Sequence, residues 1–519
     1  MKLRSLILIG LVATAGCKQA EQTTSPATEA DMRAAPGTDT AIAPAQGEQY
    51  AGKAVAPVKM VADAPVSTFS VDVDTGSYAN VRRFLTSGTT PPPEAVRTEE
   101  MLNYFRYDYP RPMDRERPFT VSTEMTTTPW NAETRLLRIG IRGYDLDRSE
   151  RPAANLVFLL DVSGSMDEPD KLPLVKNALS LLADHVTSRD HVSIVVYAGA
   201  AGVVLEPTSD PAAIKDALES LSAGGSTAGG EGIQLAYALA RENRIEGGVN
   251  RVILATDGDF NVGITDNKEL EDLVAQNRDD GITLTTLGFG EGNYNEAMME
   301  RIADVGNGNY AYIDSAMEAQ KVLDEELQST LFTIAKDVKV QIEFNPKLVS
   351  QYRLIGYENR ALAEEEFDDD SVDAGDIGAG HQVTALYEIM PAGAKGWVTD
   401  RHFDANRTRT ISAGPAGELA WLKLRYKLPD GDRSSLIERP ITASLIRDAS
   451  APQGDTAFAA AVAAFGQRLR GDSYLNHFSY ADIRRLAGPQ QNYWRQEFLK
   501  LTSLAEAQRG GDARTSSEF

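Results

Sequence analysis

The sequence predicts an α/β protein: a doubly wound, mostly parallel sheet inserted in or flanked by a β-sandwich region, with helices at the C-terminal end. Three observations carry this. From Ala153 to Thr333, short apolar runs alternate with amphipathic stretches, the pattern of strands covered on both faces by helices. On either side of that segment the pattern becomes period two, as in Val338-x-Val340-x-Ile342-x-Phe344, which marks half-buried antiparallel strands. Near the end, Phe458, Val462, Phe465 and Leu469 recur at the spacing of one helical face.

Taken in order, residues 1–16 read as a signal peptide. Met1-Lys2-Leu3-Arg4 is basic, Leu6 to Val12 is apolar and Ala13-Thr14-Ala15-Gly16 are small, a stretch too short to span a membrane. Cys17 follows and is the only cysteine in 519 residues, so no internal disulfide can form. Ala15-Gly16-Cys17 resembles a bacterial lipoprotein signal, which implies lipidation of Cys17; Thr14 departs from the Leu usual there. Lys18, with no Asp at that place, resembles outer-membrane sorting in Gram-negative bacteria. Residues 17–64, rich in Ala, Thr, Pro, Gln and Glu, are expected to be a disordered tether. Lys and Arg number 52 against 75 Asp and Glu, a formal net charge of −23. No basic stripe for nucleic acid is present, and such a surface does not suit anionic lipid heads, so the lipid would do the anchoring.

Residues 65–150 form a first flanking region, with a strand at Phe69 to Val73 and a helix from about Tyr78. Asp72-x-Asp74-x-Gly76-Ser77 invites a calcium loop, but Gly76, Ser77 and Arg83 stand where an EF-hand needs a ligand, a glycine and a glutamate. The expectation is an exposed strand end, a glycine turn and Ser77 capping the helix. Asn103 to Pro112, rich in Tyr and Arg, reads as a loop packed against the next domain. Phe119 to Met125 and Leu136 to Ile141 alternate like the later strands.

Residues 151–333 supply strands at Leu156 to Leu160, Val192 to Tyr197, Val252 to Ala255, Thr283 to Leu287 and Tyr310 to Ile313. Helical patterns lie between and after them: Leu172 to Val186, Ala212 to Leu221, Gly232 to Arg241, Lys268 to Arg278, Asn295 to Ala303 and Ala316 to Leu331. Asp210-Pro211 is a helix start, and Val203 to Leu205 fits a short antiparallel edge strand. Residues 334–450 continue the β pattern with Val383 to Ile389 and Leu419 to Leu428. These strands and those before residue 150 are expected to share one sandwich, with the α/β domain inserted between its halves. The acidic run Glu364 to Asp376, with Asp368, Asp369, Asp370, Asp373 and Asp376, reads as a solvated loop ahead of a second cation site. Residues 451–519 close the chain with helices at Thr456 to Leu469, Tyr480 to Leu486 and Trp494 to Ala507.

Three pieces of the α/β segment converge on one chemistry. Asp161-Val162-Ser163-Gly164-Ser165 follows the apolar run Asn155 to Leu160, Thr227 lies in a glycine-rich loop, and Asp257 follows Arg251 to Leu254. Loops at the carboxyl ends of parallel strands meet in a ligand-binding crevice. Two carboxylates and three hydroxyls form a hard oxygen set suited to Mg²⁺ or Mn²⁺ and poorly to Zn²⁺. The pattern resembles the metal-ion-dependent adhesion site of von Willebrand factor type A domains, D-x-S-x-S, then T, then D, at all five positions. That resemblance implies direct coordination by Ser163, Ser165 and Thr227. It implies water-mediated contacts from Asp161 and Asp257, and an open sixth position for a carboxylate of a partner protein. Gly224, Gly225, Gly229 and Gly230 would let the Thr227 loop approach the ion and change shape. Asp259 lies beside the site.

Longer motifs narrow the resemblance. Val66-Ser67-Thr68-Phe69-Ser70-Val71-Asp72-Val73-Asp74-Thr75-Gly76-Ser77-Tyr78, Leu254-Ala255-Thr256-Asp257-Gly258-Asp259-Phe260-Asn261-Val262-Gly263, Tyr352-Arg353-Leu354-Ile355-Gly356-Tyr357-Glu358-Asn359-Arg360 and Gly378-Ala379-Gly380-His381 resemble the YfbK-type bacterial lipoproteins, over nearly everything after Ala64. Enzyme readings fit less well. Ser163 and Ser165 lack a G-x-S-x-G setting, and His185, His191, His381, His402 and His477 show no metal-ligand spacing. Gly224 to Gly230 lacks the Lys-Ser/Thr ending of a phosphate loop, and Gly288-Phe289-Gly290-Glu291-Gly292-Asn293 breaks G-x-G-x-x-G at its last position. The expected function is an envelope-anchored, cation-dependent capture of unknown envelope proteins through a carboxylate. An assembly scaffold whose ion only stabilises the fold is the alternative, and a metal-dependent hydrolase is a distant third.

Overall fold

A computed structural model describes residues 47–515, apart from 114, 116, 148–149, 226–228, 259–266, 293, 327–330, 399–416, 430 and 432. The signal peptide, Cys17, Thr227 and Asp259 therefore lie outside the described residues.

The strand Ala154–Asp161 is buried along its whole length because a helix layer covers each face. It is central to a six-stranded sheet ordered Tyr310–Ile313, Thr283–Phe289, Val249–Thr256, Ala154–Asp161, His191–Tyr197, Ala201–Thr208. The first five run parallel, and Ala201–Thr208 pairs antiparallel as the expected edge strand. The chain leaves Ala154–Asp161 for His191–Tyr197 on one side and later returns to Val249–Thr256 on the other. That reversal opens a crevice at the carboxyl end of Ala154–Asp161. The helices Leu172–Ala183, Pro211–Ser220, Gly229–Glu242, Asn267–Asp279 and Glu296–Val305 match the amphipathic patterns. The last one differs: instead of one helix from Ala316 to Leu331, an α-helix over Ala316–Gln320 widens into a π-helix over Lys321–Glu326.

The flanking strands form two further sheets that share chain from before and after this domain. Asn131–Gly143 pairs with Gln382–Pro391, aligning Arg135 with Ile389 and Ile141 with Val383. Val66–Ser70 pairs with Thr333–Phe344, aligning Phe69 with Val340. The two sheets face each other across aromatic contacts: Phe344 lies 4.6 Å from Tyr352 and 5.5 Å from Tyr387, and Phe69 lies 4.7 Å from Tyr357. The α/β domain is thus an insertion in a sandwich. The strands Val349–Ile355 and Ser434–Thr442 were not anticipated.

Three helices, Gly454–Arg470, Tyr480–Ala487 and Tyr493–Thr515, close the structure. The first is buried nearly all round, not only along the expected face. The aromatic loop after Asn103 packs against both these helices and the α/β domain: Phe105 lies 4.9 Å from Phe458 and 6.0 Å from Phe498, while the Tyr104 hydroxyl donates to Glu318 at 2.7 Å.

Several local expectations are corrected. The segment read as a tether to Ala64 joins the folded body from Glu48. Glu48 pairs with Arg83 at 2.8 Å, the Gln49 amide donates to the Tyr294 carbonyl at 2.9 Å, and Lys59–Met60 adds to the edge strand Val349–Ile355. Open sheet edges satisfy the backbone of such a polar segment without a core of its own. Ser77 is not a cap. It lies inside the helix Gly76–Thr86, donates its hydroxyl to the Ala95 carbonyl at 2.8 Å and accepts the Arg97 amide at 2.8 Å. Asp72 and Asp74 are buried, not exposed, because Arg360 lies 3.4 and 3.1 Å from them. Arg97 likewise stands among Glu100, Glu296 and Glu300, and these ion pairs tie the α/β domain to its flanks. In the acidic run, Asp368 and Asp370 pair with Arg425 at 3.0 and 3.1 Å, consistent with a neutralised loop.

Candidate metal centre

Asp161 ends the central strand and is fully buried at the mouth of the crevice. Its Oδ1 accepts the Ser163 amide at 2.9 Å, and its Oδ2 accepts the hydroxyls of Tyr197 at 3.1 Å and Thr256 at 3.0 Å. Burial pushes the Asp161 carboxyl above its ordinary range, against the pull of the Ser163 hydrogen bonds. The chain then turns through Gly164–Asp167, leaving Ser163 buried and Ser165 open to solvent. The two hydroxyl oxygens lie 3.0 Å apart. Neighbouring ligands of an octahedral Mg²⁺ with bonds of about 2.1 Å stand ~3.0 Å apart, so this pair fits adjacent coordination positions.

Asp257 follows the adjacent strand Val249–Thr256 and is buried. Gly258 after it has φ +85°, and a Cβ there would meet the Asn295 amide at 2.6 Å, so glycine is required for the sharp exit. Lys171 Nζ lies 2.9 Å from Asp257 Oδ2. Although Thr227 lies outside the described residues, the stem of its loop is fastened to the first motif. The Gly224 amide donates to the Val162 carbonyl at 2.8 Å, and the Gly164 amide donates to the Gly225 carbonyl at 3.1 Å. Gly225, with φ +88°, supplies the turn.

Four of the five expected site residues are therefore described, with Asp161, Ser163 and Ser165 joined directly by hydrogen bonds. Asp257 directly follows Thr256, whose hydroxyl donates to Asp161 Oδ2 at 3.0 Å, which places it nearby. Sequence reasoning missed Lys171, Tyr197 and Thr256. Thr256 could have been found as the residue before Asp257, but nothing local marks Lys171 or Tyr197. Among the described residues, no group of three or more His, Cys, Asp or Glu is arranged to hold a metal. No helix among the described residues is long and apolar enough to cross a membrane.

Comparison with family models agrees with this architecture. Residues 155–326 match the family model described as von Willebrand factor type A domain, residues 44–138 match "von Willebrand factor", and 329–507 match "Uncharacterized protein YfbK, C-terminal". A solved von Willebrand factor type A protein from Catenulispora acidiphila is 17% identical, with 69% of this chain and 80% of that one covered and a TM-score of 0.38. Proximal thread matrix protein 1 from the mussel byssus, solved with a zinc-occupied MIDAS motif, is 23% identical over 36% of this chain and 46% of its own, with a TM-score of 0.29. The uncharacterized protein YfbK of Escherichia coli (strain K12) is 49% identical over 462 residues, covering 87% of this chain and 80% of that protein. At that identity and coverage, and with a type A domain followed by a YfbK C-terminal region, this chain belongs to the YfbK family.

Proposed function

We propose that this protein is an envelope-anchored, divalent-cation-dependent protein-binding module, which captures an acidic group of a partner at the crevice above Asp161. The observation that carries this reading is the Ser163–Ser165 hydroxyl pair at octahedral spacing beside the buried Asp161 carboxylate. Ser163, Ser165 and Thr227 would hold Mg²⁺ or Mn²⁺ directly, while Asp161 and Asp257 orient coordinating waters. When bound, the ion supplies an electrophile for a partner's carboxylate. This chain's own work is to set the hydroxyls. Tyr197 and Thr256 hold Asp161 Oδ2, and Asp161 Oδ1 fixes the Ser163 amide, so little reorganisation is left for binding.

Lipidation of Cys17 would anchor the chain, on this reading at the periplasmic face of the outer membrane of a Gram-negative bacterium. Residues between Cys17 and Glu48 would give it reach. The support is the run Ala15-Gly16-Cys17 after a signal-like apolar core.

The test is calorimetric titration of Mg²⁺ and Mn²⁺ into the wild type and Thr227→Ala, followed by cation-dependent capture from envelope extract. Saturable binding lost in the variant is expected, with capture lost alongside it. Capture that survives Asp161→Ala while the melting temperature falls would favour the scaffold reading. A hydrolase activity abolished by Asp161→Ala would replace the binding reading.

A further inference from the structure

Asp257 already carries a cation that belongs to the protein. Lys171 and Asp257 are 8% and 5% exposed, and their ion pair is 2.9 Å long. Lys171 stands just before the helix Leu172–Ala183, and its amide donates to the Glu168 carbonyl at 3.0 Å. Its stem crosses Gly290, one residue beyond the strand Thr283–Phe289. A Cβ on Gly290 would lie 2.4 Å from Lys171 Cε, 2.5 Å from Cγ and 2.8 Å from Cδ. The channel for the lysine therefore exists because residue 290 has no side chain. Gly290 is itself held, since the Tyr312 hydroxyl donates to its carbonyl at 2.7 Å. Three separate strand ends thus cooperate to deliver one ammonium to one carboxylate of the site.

We propose that Lys171 is a resident cation of the metal centre, which competes with the divalent ion for the field of Asp257 and so weakens its uptake. This rests on the metal-site reading above. Among the described residues, Asp161 and Asp257 bring two negative charges and Lys171 one positive, so these three groups and a divalent ion sum to +1 rather than zero. That surplus suits an anionic partner group, which completes the charge balance that the site lacks. The ion is then held firmly only together with its acidic ligand, and metal binding and partner capture are coupled. A charge this close, in a partly buried site, shifts ion affinity by roughly ten- to a hundredfold.

The experiment titrates Mg²⁺ alone into the full chain by calorimetry, comparing the wild type with Lys171→Met, Lys171→Gln and Asp161→Ala. Circular dichroism checks that each variant is folded. Lys171→Met keeps the stem in its channel and removes the charge, while Lys171→Gln keeps a hydrogen-bond donor. Both are expected to bind Mg²⁺ at least tenfold more tightly than the wild type, and Asp161→Ala to bind none. Equal affinities in wild type and lysine variants would overturn the proposal and leave the metal site standing. Weaker binding in both lysine variants would also overturn it, and would make Lys171 a positioning residue for Asp257. Absence of binding in every protein would remove the metal-site reading and this proposal with it.

Discussion

Glu99→Gln removes one titrating carboxyl and should reshape the dependence of stability on pH. Glu99 lies in the helix Thr98–Asn103 at 1% exposure, and its Oε2 has no hydrogen-bond partner among the described residues. Burial, then the charges of Glu358 and Asp72, push its carboxyl from the usual 4.5 up to about 8. Between those values the folded protein keeps a proton that the unfolded chain has lost. The folded state's advantage is therefore full below about pH 4.5 and is lost as pH rises through about 8. At about 1.36 kcal/mol per pH unit, that interval caps the loss near ~5 kcal/mol; neighbouring carboxyls share the titration, which gives about 2–5 kcal/mol. The amide of the Glu99→Gln variant is neutral throughout, so that protein should match the wild type near pH 4.5 and exceed it by that amount at pH 9. Glu100 and Glu296, raised to about 7 and about 8 mainly by burial, contribute a slope common to both proteins. Urea unfolding at pH 5, 7 and 9 measures the difference. Parallel loss of stability by both proteins between pH 5 and 9 would refute the assignment.

Two further perturbations test how the sandwich holds its closing helices. Arg353 is buried on Val349–Ile355 and lies 2.9 Å from both Glu388 and Asp472, so Arg353→Met strands two buried carboxylates and should cost about 3–5 kcal/mol in urea unfolding. Phe458→Ala removes a fully buried ring that packs 4.9 Å from Phe105 and 5.3 Å from Phe498, and should cost about 3–5 kcal/mol, read from the same denaturation midpoint.

The insertion has a mechanical consequence. The α/β domain enters from Asn131–Gly143 and leaves into Thr333–Phe344, two strands that lie in opposite sheets of the sandwich. Arg82 adds a second tie, pairing Asp314 and Glu318 just after the sheet's last strand with Glu497 of the closing helices. Burial makes each of these pairs costly to break singly. The metal-site crevice therefore sits in a domain braced at several points, not on a free arm.

What the sequence by itself determined was everything that depends on local period and local chemistry. Strands buried on both faces betray themselves as unbroken apolar runs, so Ala154–Asp161 and its parallel neighbours were legible, as were their loop-borne carboxylates and hydroxyls. Period two likewise located Thr333–Phe344 and Gln382–Pro391, but Gln382–Pro391 is buried on both faces rather than half-buried, with Tyr387 in the sandwich core and Leu386 in the core of the closing helices. Tertiary structure alone decided which groups meet across long stretches of chain. Asp72 and Asp74 look like a solvated turn until Arg360, nearly three hundred residues later, neutralises them. Ser77 has the composition of a cap, yet the loop at Ala95 and Arg97 claims its hydroxyl. Lys171 is one lysine among many in sequence, and only the missing side chain of Gly290 sends it to Asp257. The physical reason is common to all three. Charge and hydrogen-bonding capacity are properties of a residue, but the partner that makes burying them affordable is a property of the fold.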